Sequence, residues 1–380
     1  MRTIAFFNPR KLAFGPEAYD AFRQDVKEAG FRRLFVVSID ALSPRLEELN
    51  AELHEADIAC EFDFSIVNEP TFAEFERLLE RARRFRADCV VGIGGGSVMD
   101  VAKLLAAQLT NTQSVPEIVG IDNLAGRATA LICLPTTSGT GSEVSPNALF
   151  TSDDGSKVGV ISRHLVPDAA YVCPELTVSV PPAVTAATGI DALTHCLEAY
   201  ANNFAHPMVD VLAIEGIRLI AKDLPVACRD GSNLEARTNV ALGSVYGGMC
   251  LGPVNTGAVH ALAYPLGTQF HVPHGLSNAL LLPYVMEFNL PEAEARYAAA
   301  ARAMGAAAGA SERETAVNGI QKVRELIRDC GLPSRLSEAG IPEAAIERLA
   351  EGALKVQRLL RNNPRHVTLE DAKAIYRAAF

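Results

Sequence analysis

The sequence predicts an α/β dinucleotide-binding half built on a parallel sheet, followed by an all-α half. Three observations lead there. Short β-branched runs alternate with helical stretches up to about residue 180, two of those runs end in glycine-rich turns, and from Pro181 onward the chain becomes alanine-rich and strand-poor. Strands interleaved with helices make parallel βαβ units whose ligands bind at the strands' carboxyl ends. A chain of 380 residues is too long for one ordinary compact core, so two domains, 1–180 and 181–380, are expected.

In chain order, RLFVVSID (33–40) reads as a strand and ALSPRLEELNAELHEA after it as a helix. CEFDFSIV (60–67) is a second strand, and TFAEFERLLERARRFRA (71–87) carries apolar residues at helical spacing. DCVVGIGGG (88–96) is a buried strand running into a glycine turn, with SVMDVAKLLAAQLT (97–110) as its helix and Ser97 as its expected N-cap. TALICLPTTSGTGSE (129–143) repeats the strand-then-glycine-turn plan. In the second half, AVTAATGIDALTHCLEAYAN, AIEGIRLIAKDL and EARYAAAARAMGAAAG are helical by composition.

Bulk properties exclude several functions. A net charge of −10 leaves no basic surface for nucleic-acid phosphates. No window of about 18 apolar residues suits a membrane span, and the start, MRTIAFFNPRKLAFG, lacks a signal pattern. The eight cysteines form no CxxC pair, and Cys89, Cys133 and Cys173 lie in apolar runs as buried thiols. A reduced, cytoplasmic protein is expected.

Four residues carry metal-ligand chemistry: Asp191 and His195 in GIDALTHCLEAY, then His260 and His274 in GAVHALAYPLGTQFHVPHG. A spacing of four on a helix stacks Asp191 and His195 on one face. Three imidazoles and a carboxylate suit Fe²⁺ or Zn²⁺, not Cu(I) or an iron–sulfur cluster. The spacing alone is equally met by two helix histidines, a surface histidine and a capping aspartate.

The turn GIGGGSVMD places Gly94, Gly95 and Gly96 after a strand, where free N–H groups at a helix start attract phosphate. It is not a GxGxxG fingerprint, and a plain tight turn would look the same. The second turn adds the hydroxyls of Thr136, Thr137, Ser138, Thr140 and Ser142 around two glycines, and two such loops together indicate a nucleotide. Lys157 is the nearest cation that could reach a pyrophosphate.

Together GGGSVMDVAK, PTTSGTGSEV, TAATGIDALTHCLEAY and the GAVHALAYPLG…HVPHG stretch, with FNPRKLAFG and NNPRHVTLED near the ends, resemble the iron-containing (group III) alcohol dehydrogenase family over almost the whole chain. The resemblance implies a dehydroquinate synthase-like architecture with a metal in the cleft between the halves. It implies Asp191, His195, His260 and His274 as metal ligands. Gly94, Gly95, Gly96 and Ser97 fall on the pyrophosphate, Thr136, Thr137 and Thr140 along the nicotinamide half, and Lys157 near the phosphates. The implied activity is NAD(P)-linked, metal-dependent oxidation of a small alcohol or reduction of an aldehyde, in a homodimer or larger homo-oligomer. Fe²⁺ or Zn²⁺ would serve as the ion.

Three positions depart from the family pattern. Where many members carry a further histidine four residues after the third ligand, this chain has Tyr264, a hydrogen-bond donor but a poor base near neutrality. His271 is the alternative proton carrier, while His206 and His366 read as structural. The strand-end aspartate of NAD-preferring members aligns with Ile39, and Asp40, one step along, would point to the other face. NAD is favoured and NADP stays open, with Glu69 of NEPT a carboxylate that could repel the extra phosphate. A dehydroquinate synthase-like lyase and a maleylacetate reductase are the competing readings. The first needs basic residues where this chain has Leu193, Leu251 and Val254; the second fits poorly with an intact aspartate–histidine pair.

Overall fold

The computed structural model describes residues 2–67, 71–151 and 157–380. Glu69 lies outside the described residues. The chain divides into two compact units, one of Phe7–Thr137 with Ser142–Thr177, the other of Val178–Phe380 with Ser138–Gly141 and the first residues up to Phe6.

The α/β unit runs β1 (Lys11–Phe14), α1 (Ala18–Glu28), β2 (Arg33–Ser38), α2 (Ser43–Glu55), β3 (Ala59–Asp63), α3 (Phe72–Phe85), β4 (Cys89–Gly94) and α4 (Gly96–Gln108). It continues with the short α5 (Val115–Ile118), β5 (Gly120–Ile121), β6 (Ala130–Pro135), β7 (Asn147–Thr151), β8 (Lys157–Ile161) and β9 (Ala169–Val172). Six strands form one parallel sheet in the order β1-β9-β6-β4-β2-β3. Its central strands are apolar on both faces, as a parallel sheet covered on both sides requires. Leu34 and Val36 of β2 join one core cluster with α1 and α2, while Phe35 and Val37 join another with α3 and α4. A smaller sheet pairs β7 antiparallel to β8, with β5 parallel to β8.

This topology places the glycine turns. From β2 the chain moves outward to β3, but from β4 it moves the opposite way to β6, so the order reverses between β2 and β4. A crevice opens at the carboxyl ends of strands where the order reverses. The end of β4 is paired in register with that of β6, Gly94 opposite Pro135, and Thr136 N donates to Gly94 O at 2.9 Å. The two glycine turns therefore leave the sheet side by side.

Two local expectations are corrected here. Ser97 is not the N-cap: α4 starts at Gly96 with Gly95 as its cap and no side-chain capping bond, so Ser97 lies within the first turn. Glycine at the cap leaves the first-turn N–H groups without a side-chain acceptor. Asp40 is not on a strand: β2 ends at Ser38, and Asp40 heads a 3₁₀ turn (Asp40–Leu42) where Ser43 Oγ donates to its carboxylate at 3.2 Å. Strand parity therefore does not decide where Asp40 points.

No strand follows Val172 among the described residues. The second unit contains α6 (Pro182–Tyr200), α7 (Pro207–Arg229), α8 (Leu234–Leu251), α9 (Ala258–Phe270), α10 (His274–Ala303), α11 (Glu312–Asp329), α12 (Ile346–Leu354), α13 (Gln357–Leu360) and α14 (Leu369–Ala378). None of the described helices is long and apolar enough to cross a membrane. Its main core is a cluster centred on α6, α9 and α10, with a smaller one of Ala199, Val209, Ala213, Cys250 and Val254. Glycine permits a close approach: a methyl group on Gly275 would lie 2.2 Å from the carbonyl oxygen of Ala187, so only glycine there lets α10 begin against α6. That contact brings His274 to Asp191.

Candidate metal centre

Three helices deliver four side chains to one point in the helical unit. Asp191 and His195 stand four apart on α6, His260 lies in the first turn of α9, and His274 opens α10. The Nε2 atoms of His195, His260 and His274 lie 3.8, 3.5 and 3.6 Å from the same oxygen, Asp191 Oδ1. Those separations are long for hydrogen bonds. They match the spacing of about 3.4 Å between neighbouring ligand atoms held tetrahedrally at ~2.1 Å from one ion. Ligand atoms of Asp191, His195 and His260 all fall within 4.8 Å of one another.

The partners behind the imidazoles fix which nitrogen faces inward. His260 Nδ1–H donates to Glu198 Oε2 at 2.5 Å, and His195 Nδ1–H donates to the carbonyl of Gly139 at 3.3 Å. A carboxylate and a carbonyl can only accept, so in both rings Nδ1 keeps its hydrogen and Nε2 is the nitrogen that faces Asp191, open to an ion once its own proton has left. Glu198 is itself held by Val259 N, which donates to Oε1 at 2.6 Å. Gly139 belongs to the threonine-rich turn, whose tip Ser138–Gly141 packs in the helical unit. A methyl on Gly139 would meet Thr188 Cβ at 2.7 Å, and Gly141, at φ +59°, lies close to Gly248.

The electrostatics call for a cation. Burial raises the Asp191 carboxyl, but His195, His274 and His260 outweigh it and hold it far below the usual carboxylate range. Burial opposes charge on His260, yet Glu198 and Asp191 overcome it and push the imidazole up to about 10. Burial dominates at His195, which is lowered. Two buried carboxylates thus draw positive charge into an apolar core, and the donor set is the one a divalent ion uses. The residues fit the group.

Two participants escaped the sequence reading. Glu198 follows Asp191 and His195 at the next turn of the same face, a 191/195/198 stripe that could have revealed it. Asn278, four residues after His274, donates from Nδ2 to Asp191 Oδ1 at 2.6 Å and lies 3.2 Å from His260 Nε2 and 3.4 Å from His274 Nε2. Its amide oxygen is buried without a hydrogen-bond partner.

The remaining expected residues divide. The Tyr264 ring stands 6.0 Å from that of His274. His271 is exposed and caps α9 in the left-handed conformation, φ +56°, ψ 27°. His206 caps α7 by accepting from Met208 N, a structural role. Gly94, Gly95 and Gly96 meet Thr136 and Thr137 at the paired ends of β4 and β6, where a methyl on Gly95 would touch the Thr137 side chain at 3.6 Å. Thr140 sits on the turn tip in the helical unit. Lys157 begins β8, near enough for its charge to act on Asp100.

The model of iron-containing alcohol dehydrogenases matches residues 9–174, and the model of the C-terminal region of the Fe-containing alcohol dehydrogenase family matches 185–380. Long-chain-alcohol dehydrogenase 1 of Geobacillus thermodenitrificans is 39% identical over 369 residues, covering 96% of this chain and 93% of the relative. The 1,3-propanediol dehydrogenase of Klebsiella pneumoniae is 33% identical over 385 residues, covering 100% and 99%. The solved structure of an alcohol dehydrogenase from Oenococcus oeni superposes with a TM-score of 0.96 at 31% identity, with both chains fully covered. With both family models matched over most of the chain and relatives of this identity covered almost end to end, the chain belongs to the iron-containing alcohol dehydrogenase family.

Proposed function

We propose that Asp191, His195, His260 and His274 hold a divalent ion, Fe²⁺ or Zn²⁺, for NAD(P)-linked oxidation of a small alcohol or reduction of an aldehyde. The observation that carries this reading is the convergence of three Nε2 atoms within 3.8 Å of Asp191 Oδ1. A bound ion there supplies Lewis acidity toward the substrate oxygen, and the nicotinamide accepts or returns the hydride at its C4. The chain's own residues orient and exclude. Glu198 and the Gly139 carbonyl hold two imidazoles in the ligating tautomer, Asn278 tethers the carboxylate, and the apolar core around α6, α9 and α10 keeps water from the back of the site. Tyr264 is the proposed hydrogen-bonding group for the departing proton, with His271 the alternative carrier.

For the nucleotide we propose residues 1–180 as the dinucleotide-binding domain and 181–380 as the metal-binding domain. Gly94, Gly95, Gly96 and Ser97 take the pyrophosphate, Thr136, Thr137 and Thr140 the nicotinamide side, and Lys157 the phosphates. The uncapped first turn of α4 supports the pyrophosphate assignment. NAD is the preferred cofactor, supported by the exposed acid Asp40 at the end of β2, where a 2′-phosphate would be repelled. Eight free cysteines support a reducing, cytoplasmic setting. Met208 and Val211, three apart and exposed on α7, support a homo-oligomer. The lyase reading is disfavoured, because Leu193, Leu251 and Val254 are buried core residues that leave no room for a cluster of bases.

The test is an anaerobic screen of Fe²⁺- and Zn²⁺-loaded protein against a panel of primary alcohols, with NAD and NADP in parallel. Reduction of either nicotinamide supports the assignment. Full metal content and turnover in His195→Ala would sink it.

A further inference from the structure

We propose that Arg358, held by Tyr264, is a specificity-determining residue that selects an alcohol or aldehyde carrying a carboxylate at its far end. The inference rests on the metal-site reading above. Of the four ligand side chains, Asp191, His195 and His260 are 3–6% exposed while His274 is 22% exposed, so the quartet is open on the His274 side. Tyr264 flanks that side: it stands one helical turn after His260 on the same face of α9, with its ring 6.0 Å from that of His274. Arg358 comes from the separate helix α13 and donates from Nη2 to Tyr264 Oη at 3.1 Å, its guanidinium carbon 5.9 Å from the ring centroid.

This arginine lacks what others in the molecule have. Arg81, Arg127 and Arg296 each pair with a carboxylate, as in the 2.6 Å contacts of Arg127 with Asp168 and of Arg296 with Asp210. Arg358 is half-buried, yet no carboxylate lies within 4.0 Å of it among the described residues, and Tyr264 engages one of its five N–H donors. A guanidinium drawn partly out of water gains most from a planar oxyanion that accepts two of its hydrogens at once. A substrate whose hydroxyl end faces the quartet and whose other end bears a carboxylate supplies that partner. The phenol holds the guanidinium in place, which gives the departure at Tyr264 a second use.

The experiment compares two length-matched probes, 4-hydroxybutanoate and 1-butanol, on metal-loaded wild type, Arg358→Leu and Arg358→Lys. Wild type is expected to favour the hydroxy acid, and Arg358→Leu to lower the ratio of kcat/KM values by about 10- to 100-fold, mainly through KM. Arg358→Lys keeps the charge without the fork and should recover part of the ratio. Calorimetric titration of butanoate adds a readout independent of turnover, with weaker binding expected in Arg358→Leu. Should that variant fail to fold, Arg358→Lys and Arg358→Gln carry the comparison. A ratio unchanged by substitution, a wild type that prefers 1-butanol, or equal butanoate affinities in wild type and variant would each overturn the proposal. No turnover of any alcohol by the wild type would instead overturn the underlying assignment.

Discussion

Both units bury charge, but they treat it differently. In the α/β unit, Lys103 is fully buried, and its ammonium donates to the carbonyls of Ser145 at 2.9 Å and Asn147 at 2.8 Å and to Ser145 Oγ at 3.4 Å. Asp100, three residues earlier on α4, accepts from Ser142 Oγ at 2.6 Å and Leu149 N at 2.9 Å. Those bonds tie α4 to the segment before β7 and to β7 itself, and each group ends on backbone or hydroxyl partners. In the helical unit, by contrast, the His195 and His260 rings are fixed through Nδ1 while their Nε2 atoms converge on Asp191 Oδ1, with the Asn278 amide 3.2 Å from His260 Nε2. Buried charge that is satisfied by backbone reads as scaffold; buried imidazole nitrogens that converge on one carboxylate oxygen read as a ligand site.

The comparison breaks most visibly on removal of one group from each cluster. His195→Ala should abolish stoichiometric metal binding and lower turnover by on the order of a thousandfold or more, with little loss of fold, since a histidine is exchanged for a good helix former. Elemental analysis and kcat of the loaded protein measure it. Lys103→Met should do the reverse. It removes the donor from the carbonyls of Ser145 and Asn147 and the stronger of the positive charges acting on Asp100, and should cost about 3–5 kcal/mol of stability, read by denaturant unfolding, with metal content intact. If Lys103→Met lost its metal while keeping its stability, the division between the two clusters would be wrong.

Much of this was legible in the sequence. Alternation of β-branched runs and helices located the strands because a parallel sheet buries both faces. The residue types of the quartet carried their chemistry wherever the fold placed them. What escaped depended on burial or on distant contacts. A glutamate late in a helix looks like a solvated side chain until Glu198 is seen beneath His260. Arg358 meets Tyr264 across 94 residues. Ser97 and Asp40 differ from the sequence pattern by one or two positions, since helix starts and strand ends shift by that much under packing that local sequence does not encode. The tip Ser138–Gly141 falls in the nucleotide half by sequence, yet it packs among the helices and supplies the acceptor for His195.

A subtler contrast lies in pH dependence. Burial pushes the Glu143 carboxyl up to about 7, against the opposing pull of its own backbone N–H and of Lys103. Between about 4.5, the ordinary value, and 7 the folded protein holds a proton that the unfolded chain has released, so this group's contribution to stability is full below 4.5 and falls as pH rises through 7. Glu143→Gln removes that dependence and should gain on wild type by up to about 3 kcal/mol between pH 4.5 and 8. Urea unfolding at both ends of that range checks it. A difference between variant and wild type that does not grow with pH would put the raised carboxyl in error.

The finest test concerns the residue that links the two kinds of buried charge. Glu198 is buried and, like Asp100, fully bonded, here through Val259 N and His260 Nδ1, yet one of those partners is a proposed ligand. Glu198→Gln keeps the shape and one acceptor oxygen but removes the negative charge, and its amide must turn a donor toward either Val259 N–H or His260 Nδ1–H. If the carboxylate serves only packing, stability falls and metal affinity does not. If it fixes the His260 tautomer and strengthens Nε2 as a donor, affinity for Zn²⁺ falls by about 10- to 100-fold, the range for lost partners of ligating histidines. A competitive chelator titration separates the two. The expected sign is a weaker ion together with a modest loss of stability from the mispaired amide, because the altered group acts on the ion through an imidazole it does not itself displace.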